Sequence, residues 1–197
     1  MTVDAVLRFA PVVLLVLVGL WLLLATRRTS RAIGINAYGF GGTRRQRTAQ
    51  FLFRLGVGGG LLAAAAFAAR IAWPGLQPLS QHVAHQALGL FIATCGLGLI
   101  VIAQTDMGRR WRVGVPTTAP DELVTCGLFR YSRNPVFVGM LAMALGLSIA
   151  VLSPPMIAAA ICFWLACELQ VRDEERFLEG AFGDVYRSYK REVRRWI

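Results

Sequence analysis

Apolar residues run along this chain in long stretches that few charges interrupt, without the 2-residue alternation of a half-buried strand or the 3.6-residue stripe of a soluble helix. Five stretches approach the ~20 residues a helix needs to cross a bilayer: Phe9–Ala25, Phe51–Trp73, Val83–Gln104, Val136–Leu152 and Met156–Val171. Only Ser153-Pro154-Pro155 separates the last two. Adjacent prolines cannot continue one helix but can open the next, which predicts a tight helical hairpin. After Val171 the pattern changes. From Arg172 to Trp196, Phe177, Leu178, Phe182, Val185, Tyr186, Tyr189 and Val193 recur among charges at helical spacing, interrupted at Gly180 and Gly183. This predicts an extension of the fifth helix and then a cytosolic amphipathic helix folded back under the membrane. The expected fold class is an all-α membrane protein with five transmembrane helices.

Small residues mark where these helices should touch. Gly56, Gly60, Ala64 and Ala68 share a four-residue spacing, and Gly89, Gly96 and Gly98 give the third stretch a similar character. In lipid such residues let helix backbones approach closely. No strand precedes them, so they do not read as a phosphate-binding loop.

Composition agrees: 56% of the 197 residues are hydrophobic and 16% charged, too apolar for an ordinary soluble domain. The net charge of +10 could serve nucleic acid or an anionic membrane surface. Because the basic residues flank apolar runs instead of forming a free aromatic-interleaved face, nucleic acid is not an expected partner, and membrane lipids are. Eighteen of the 21 Lys and Arg fall in residues 26–50, 106–135 and 172–197, which a five-helix plan places on one side. The opposite connections, 74–82 and 153–155, carry none. The expected location is an inner-cell or internal membrane, with the N-terminus outside and the C-terminus and charged boxes cytosolic. The first stretch ends in Thr26-Arg27-Arg28 with no small-residue cleavage pattern, so it reads as a retained helix and not a signal peptide. Cys95, Cys126, Cys162 and Cys167 form no Cys-x-x-Cys pair, and His82 and His85 stand at the outer end of the third stretch, so no metal site is expected.

Two stretches place charge where a mere anchor would not. The first runs from Leu123 and Val124 through Cys126-Gly127-Leu128-Phe129-Arg130-Tyr131-Ser132-Arg133-Asn134-Pro135 to the mouth of the fourth helix. Asn134 and Pro135 suit an N-cap and a first helical position. Arg133 suits a helix N-terminus poorly, unless it grips a carboxylate bound there or contacts a lipid headgroup. The second is Arg172-Asp173-Glu174-Glu175-Arg176, where three consecutive acids oppose a helix dipole unless the helix continues or bases pair with them. Either they form a surface network with Arg172 and Arg176, or a glutamate faces Arg133 or a ligand's ammonium or ribose. Glu168, inside the fifth stretch, either lines a substrate tunnel or pairs with Arg172 four residues on.

Taken together, Gly127-x-x-x-Tyr131-x-Arg133-Asn134-Pro135-x-x-x-Gly139, a hairpin, and Glu174-Glu175-x-x-Leu178-x-x-x-Phe182-Gly183-x-x-Tyr186-x-x-Tyr189 resemble the signature of the isoprenylcysteine carboxyl methyltransferases. Related phospholipid N-methyltransferases share it. The resemblance covers about residues 85–195. It implies that residues 81–197 are a methyltransferase core and residues 1–80 a pair of helices with a basic cytosolic loop. It also implies an S-adenosylmethionine pocket of Leu123, Val124, Gly127, Tyr131, Arg133, Asn134, Pro135, Glu174 and Glu175, with Arg133 and Glu175 catalytic. The methyl acceptor would be a lipophilic or lipid-linked carboxylate or amine arriving from the bilayer. Two departures stand out: Asn134 replaces the usual His and cannot carry a proton at neutral pH, and Arg194-Arg195-Trp196 stands where the family has a proline. Alternative readings are a membrane NADPH-dependent reductase of similar plan, or a scaffold or transporter without catalysis.

Overall fold

The computed structural model describes residues 2–34, 37–39, 43–71, 75, 77–114 and 122–197. It is mostly helical. In chain order the helices are α1 (Val3–Ile33), α2 (Arg44–Ala68), α3 (Val83–Met107), α4 (Pro135–Val151), α5 (Pro154–Phe182) and α6 (Asp184–Glu192). Four of them, α1, α2, α3 and α5, are long and apolar enough to cross a membrane. The fifth expected span, α4, is apolar throughout but only 17 residues long, about 26 Å. It is closed by Leu152 in a left-handed conformation (φ 39°) and then by the two prolines that open α5. The end of the expected second span, residues 72–74, lies outside the described residues.

Helix ends extend past the apolar runs because backbone hydrogen bonding, unlike lipid contact, does not need apolar side chains. Thus α1 starts at Thr2, whose hydroxyl accepts from the Ala5 amide, and continues through Arg27, Arg28 and Arg31. α2 begins at Thr43, whose hydroxyl caps the Gln46 amide, so Arg44, Arg45 and Arg47 are helical. α5 runs on from Val171 through both glutamates and Gly180 to Phe182; only Gly183 (φ 53°) breaks it. The three acids therefore lie inside a helix, away from its terminal carbonyls.

Close packing follows the small residues, in two helix pairs. α4 packs chiefly on α3, and α5 on α2. A Cβ placed on Gly96 would lie 2.6 Å from the Gly139 carbonyl oxygen and 2.6 Å from the Met143 nitrogen, so only glycine permits this approach. Gly89 and Gly146 repeat the arrangement two turns away, whereas Gly98 faces open space. Gly56 lies against Phe163 of α5, whose ring meets Phe53 edge-on at 5.3 Å. The α4–α5 hairpin therefore closes, but its legs find their main partners elsewhere.

The end of α1 is fastened to the connection after α3. Buried Trp111 donates its ring N–H to the Thr26 hydroxyl (3.1 Å), and Arg109 donates to the Ala32 carbonyl (3.1 Å). A two-residue parallel pairing joins Tyr38 to Val113 and Gly39 to Gly114. At the other end of α3, His82 precedes the helix and stacks edge-on with His85 at 6.4 Å.

Candidate active site

The first charged stretch is shaped by Asp106, on the last turn of α3. Its carboxylate accepts a hydrogen bond from the Leu128 amide (3.0 Å), starting the short 3-10 turn Gly127–Arg130. Gly127 stands at φ 59°, and a Cβ there would strike that carboxylate. Any other residue at 127 would be both strained and obstructed. The turn buries Phe129, leaves Tyr131 exposed, and delivers Ser132, Arg133 and Asn134 to the start of α4.

Arg133 and Glu175, 42 positions apart, meet there. Arg133 Nε and Nη2 donate to Glu175 Oε1 at 3.1 and 2.8 Å, and only 7% and 6% of the two side chains is exposed. Arg133 Nη1 donates to the carbonyls of Lys190 (3.1 Å) and Val193 (2.6 Å). Its backbone N–H donates to the Arg194 carbonyl at 2.9 Å. From the other side, Arg195 Nε reaches both Glu175 oxygens at 3.2 Å, and its Nη2 reaches Oε2 at 2.8 Å. Glu175 thus sits between two guanidiniums. Asn134 is at the N-cap position, yet its side chain makes no cap bond; Nδ2 donates to the Arg195 carbonyl at 3.2 Å instead. Pro135 takes the first helical position.

Two tyrosines complete this corner. Burial pushes the Tyr189 hydroxyl up to about 12, so it stays protonated and donates to the Phe129 carbonyl at 2.7 Å. Tyr186 is almost fully buried and is raised as well, first by burial and then by the Glu175 charge.

A cavity of about 100 Å³, open on one side, lies against this corner. Leu123, Val124, Arg133 and Glu174 line it, together with Met107, Arg110, Arg112, Gly114, Glu122, Phe129, Phe177, Leu178, Tyr186 and Tyr189. Glu174 accepts a bond from the Gln170 amide (2.8 Å) and makes no ion pair among the described residues. Glu122 is paired with Arg110. Of the expected pocket residues, Gly127, Tyr131, Asn134, Pro135 and Glu175 do not line the cavity; Gly127, Asn134 and Pro135 shape the turn into α4, Glu175 braces Arg133, and the Tyr131 side chain is exposed. Glu168 does not line the cavity either; it pairs with Arg172 at 3.2 Å, and its charge also acts on Arg195. Asp173 is held between Arg45 of α2 (3.2 Å) and Arg176 (3.3 Å).

Residues 84–185, half of the chain and both charged boxes, match the phospholipid methyltransferase family. The chain belongs to that family. Membership implies a methyltransferase, and the apolar helices fit an integral membrane protein. A stretch of 30 residues is 53% identical to a protein of Haemophilus influenzae described as uncharacterized, covering 15% of this chain and 48% of that one. The chain therefore spans about half the length of the curated relative it matches. No solved structure matches it significantly. Within this phospholipid methyltransferase-family site, sequence reasoning missed Asp106 and Arg195. A lone acid at the end of an apolar run, and a glycine 21 positions later, were the available signals for the first; for Arg195 there was none beyond its charge.

Proposed function

We propose that the protein moves a methyl group from S-adenosylmethionine to a lipophilic carboxylate or amine entering from the bilayer. The reading rests on one observation above the others: Arg133 and Glu175 bring the two charged boxes together at the wall of a single cavity. The donor set fits the cofactor's chemistry. Leu123, Val124, Phe177 and Leu178 offer apolar walls to a flat base, and the unpaired carboxylate of Glu174 offers an acceptor for ammonium or hydroxyl groups. The cavity is smaller than the roughly 300 Å³ common for small-molecule sites, but it is open, so a ligand need not be wholly enclosed.

When bound, the cofactor supplies a methyl already electrophilic on its sulfonium. The protein has to align it with the nucleophile and exclude water. Glu174 holds polar groups, Arg133 and Glu175 fix the wall, and Gly127, Tyr131, Asn134 and Pro135 set the path into α4. A carboxylate acceptor needs no base. An amine has to lose a proton, and Glu174 is the described cavity carboxylate without an ion-pair partner.

In calorimetry, detergent-solubilised protein is expected to bind S-adenosylhomocysteine and to show no comparable affinity for NADPH. The opposite preference would replace this reading with a reductase.

The same reading takes α4 as a fifth, short span and α6 as lying under the membrane, with residues 1–80 forming a helical pair beside a core of 81–197. The arginine asymmetry then puts the site in the cytosol. In a background lacking the four native cysteines, a cysteine at Gln77 should label from outside, and cysteines at Thr43 or Ser188 only after permeabilisation. Outside labelling at Thr43 would reverse the orientation.

A further inference from the structure

We infer that Arg195, outside the family-matched residues, is a positioning residue for the site: by holding both oxygens of Glu175 it fixes the direction in which Arg133 faces the cavity. This rests on the methyl-transfer reading of the cavity and adds to it a residue that no charged box contains.

An arginine has five N–H groups. Arg133 spends its Nε–H and one Nη2–H on Glu175 Oε1, and both Nη1–H on the carbonyls of Lys190 and Val193. The remaining donor faces the Tyr186 hydroxyl, and Arg133 and Tyr186 both line the cavity. With its oxygen accepting from Arg133, the Tyr186 hydroxyl is the polar group this part of the wall turns to a ligand. How the guanidinium, and the hydroxyl against it, are set depends on Glu175. Left alone with Arg133, the carboxylate could turn and take the guanidinium by both oxygens, the geometry that arginine and carboxylate prefer. Arg195 prevents this by occupying Oε2 at 2.8 and 3.2 Å while also touching Oε1. Glu175 therefore meets Arg133 with a single oxygen, and the guanidinium stays turned toward the carbonyls of 190 and 193. Arg195 is itself held from behind, since its carbonyl accepts from Ser132 Oγ and Asn134 Nδ2, both at 3.2 Å.

The test uses the full chain in detergent and two readouts. S-adenosylhomocysteine affinity should fall about tenfold in Arg195→Gln and less in Arg195→Lys, which keeps the charge but not the two-oxygen grip. In a Glu175→Gln background, Arg195→Gln should cost less than about twofold more, because the route through Glu175 is already cut. The second readout needs no ligand. Hydrogen exchange at the amides of 132–134 should quicken about tenfold in Arg195→Gln, as the Arg133 N–H loses its hold on the Arg194 carbonyl, and should not change in Arg191→Gln, an exposed charge-matched control. Wild-type affinity in Arg195→Gln, or a full tenfold loss in the Glu175→Gln background, would overturn the inference. If the wild-type chain binds no S-adenosylhomocysteine, the methyl-transfer reading falls on its own. The exchange result then decides alone: unchanged exchange overturns the positioning role, and quickened exchange upholds it.

Discussion

Glu175→Ala is expected to destabilise the protein by about 3–5 kcal/mol and to abolish cofactor-analogue binding, because it leaves the buried Arg133 guanidinium without its carboxylate, whereas the more exposed Arg195 can turn to water. Arg133 and Glu175 are 7% and 6% exposed, so water cannot readily replace the lost partner. Glu175→Gln should cost less, since the amide oxygen can still accept one bond. Arg133→Ala removes a different set of ties, those to the carbonyls of Lys190 and Val193, and leaves Glu175 to Arg195. Because Arg133 and Glu175 act on each other, the double alanine variant should lose much less than the sum of the two single losses. Thermal unfolding in one detergent, followed by analogue titration, checks both. A melting temperature lowered by less than about 6 °C in Glu175→Ala would show that this cluster does not hold the segment after α6 in place.

The second large effect is expected at the α3–α4 seam. Gly96→Ala puts a methyl 2.6 Å from two backbone atoms of α4, and neither atom can turn aside as a flexible side chain would. The helices have to separate, at a cost of about 1–3 kcal/mol for alanine and more for valine. Gly98→Ala, two residues away and facing open space, should be neutral or stabilise by up to about 1 kcal/mol through helix propensity. The pair of variants shares chemistry and helix, so their difference isolates the seam. Equal melting temperatures for the two would mean that α3 and α4 do not meet as described.

How much of this could be read from the chain depended on the kind of interaction. Lipid-facing runs are a composition signal, so the helices were legible and their ends were not. α1 outlasts its apolar run at Ala25 by eight residues, to Ile33, because nothing in hydropathy reports a continuing hydrogen-bond ladder. Gly89 and Gly96 were legible as packing residues, but their partners on α4 were not, since a small residue does not name what approaches it. At the site, the meeting of Arg133 with Glu175 was one of the open alternatives. Its saturation by backbone carbonyls was not legible, because carbonyls carry no sequence signature. Asn134 looked like a cap by its place before Pro135, yet its side chain caps no amide and donates from Nδ2 to the Arg195 carbonyl. Arg195 stands in a stretch that departs from the family's proline, and nothing in its sequence spacing from Glu175 marks the two as partners.

The α3–α4 seam also bears on how the sequence can change with time. A single base change in a glycine codon either leaves glycine or yields a stop or a residue with a Cβ. At Gly89, Gly96, Gly139 and Gly146 that atom meets backbone of the facing helix. Drift at these four codons therefore has no small step to take: to reshape the seam, both helices have to shift together, by compensating substitutions that arise in concert.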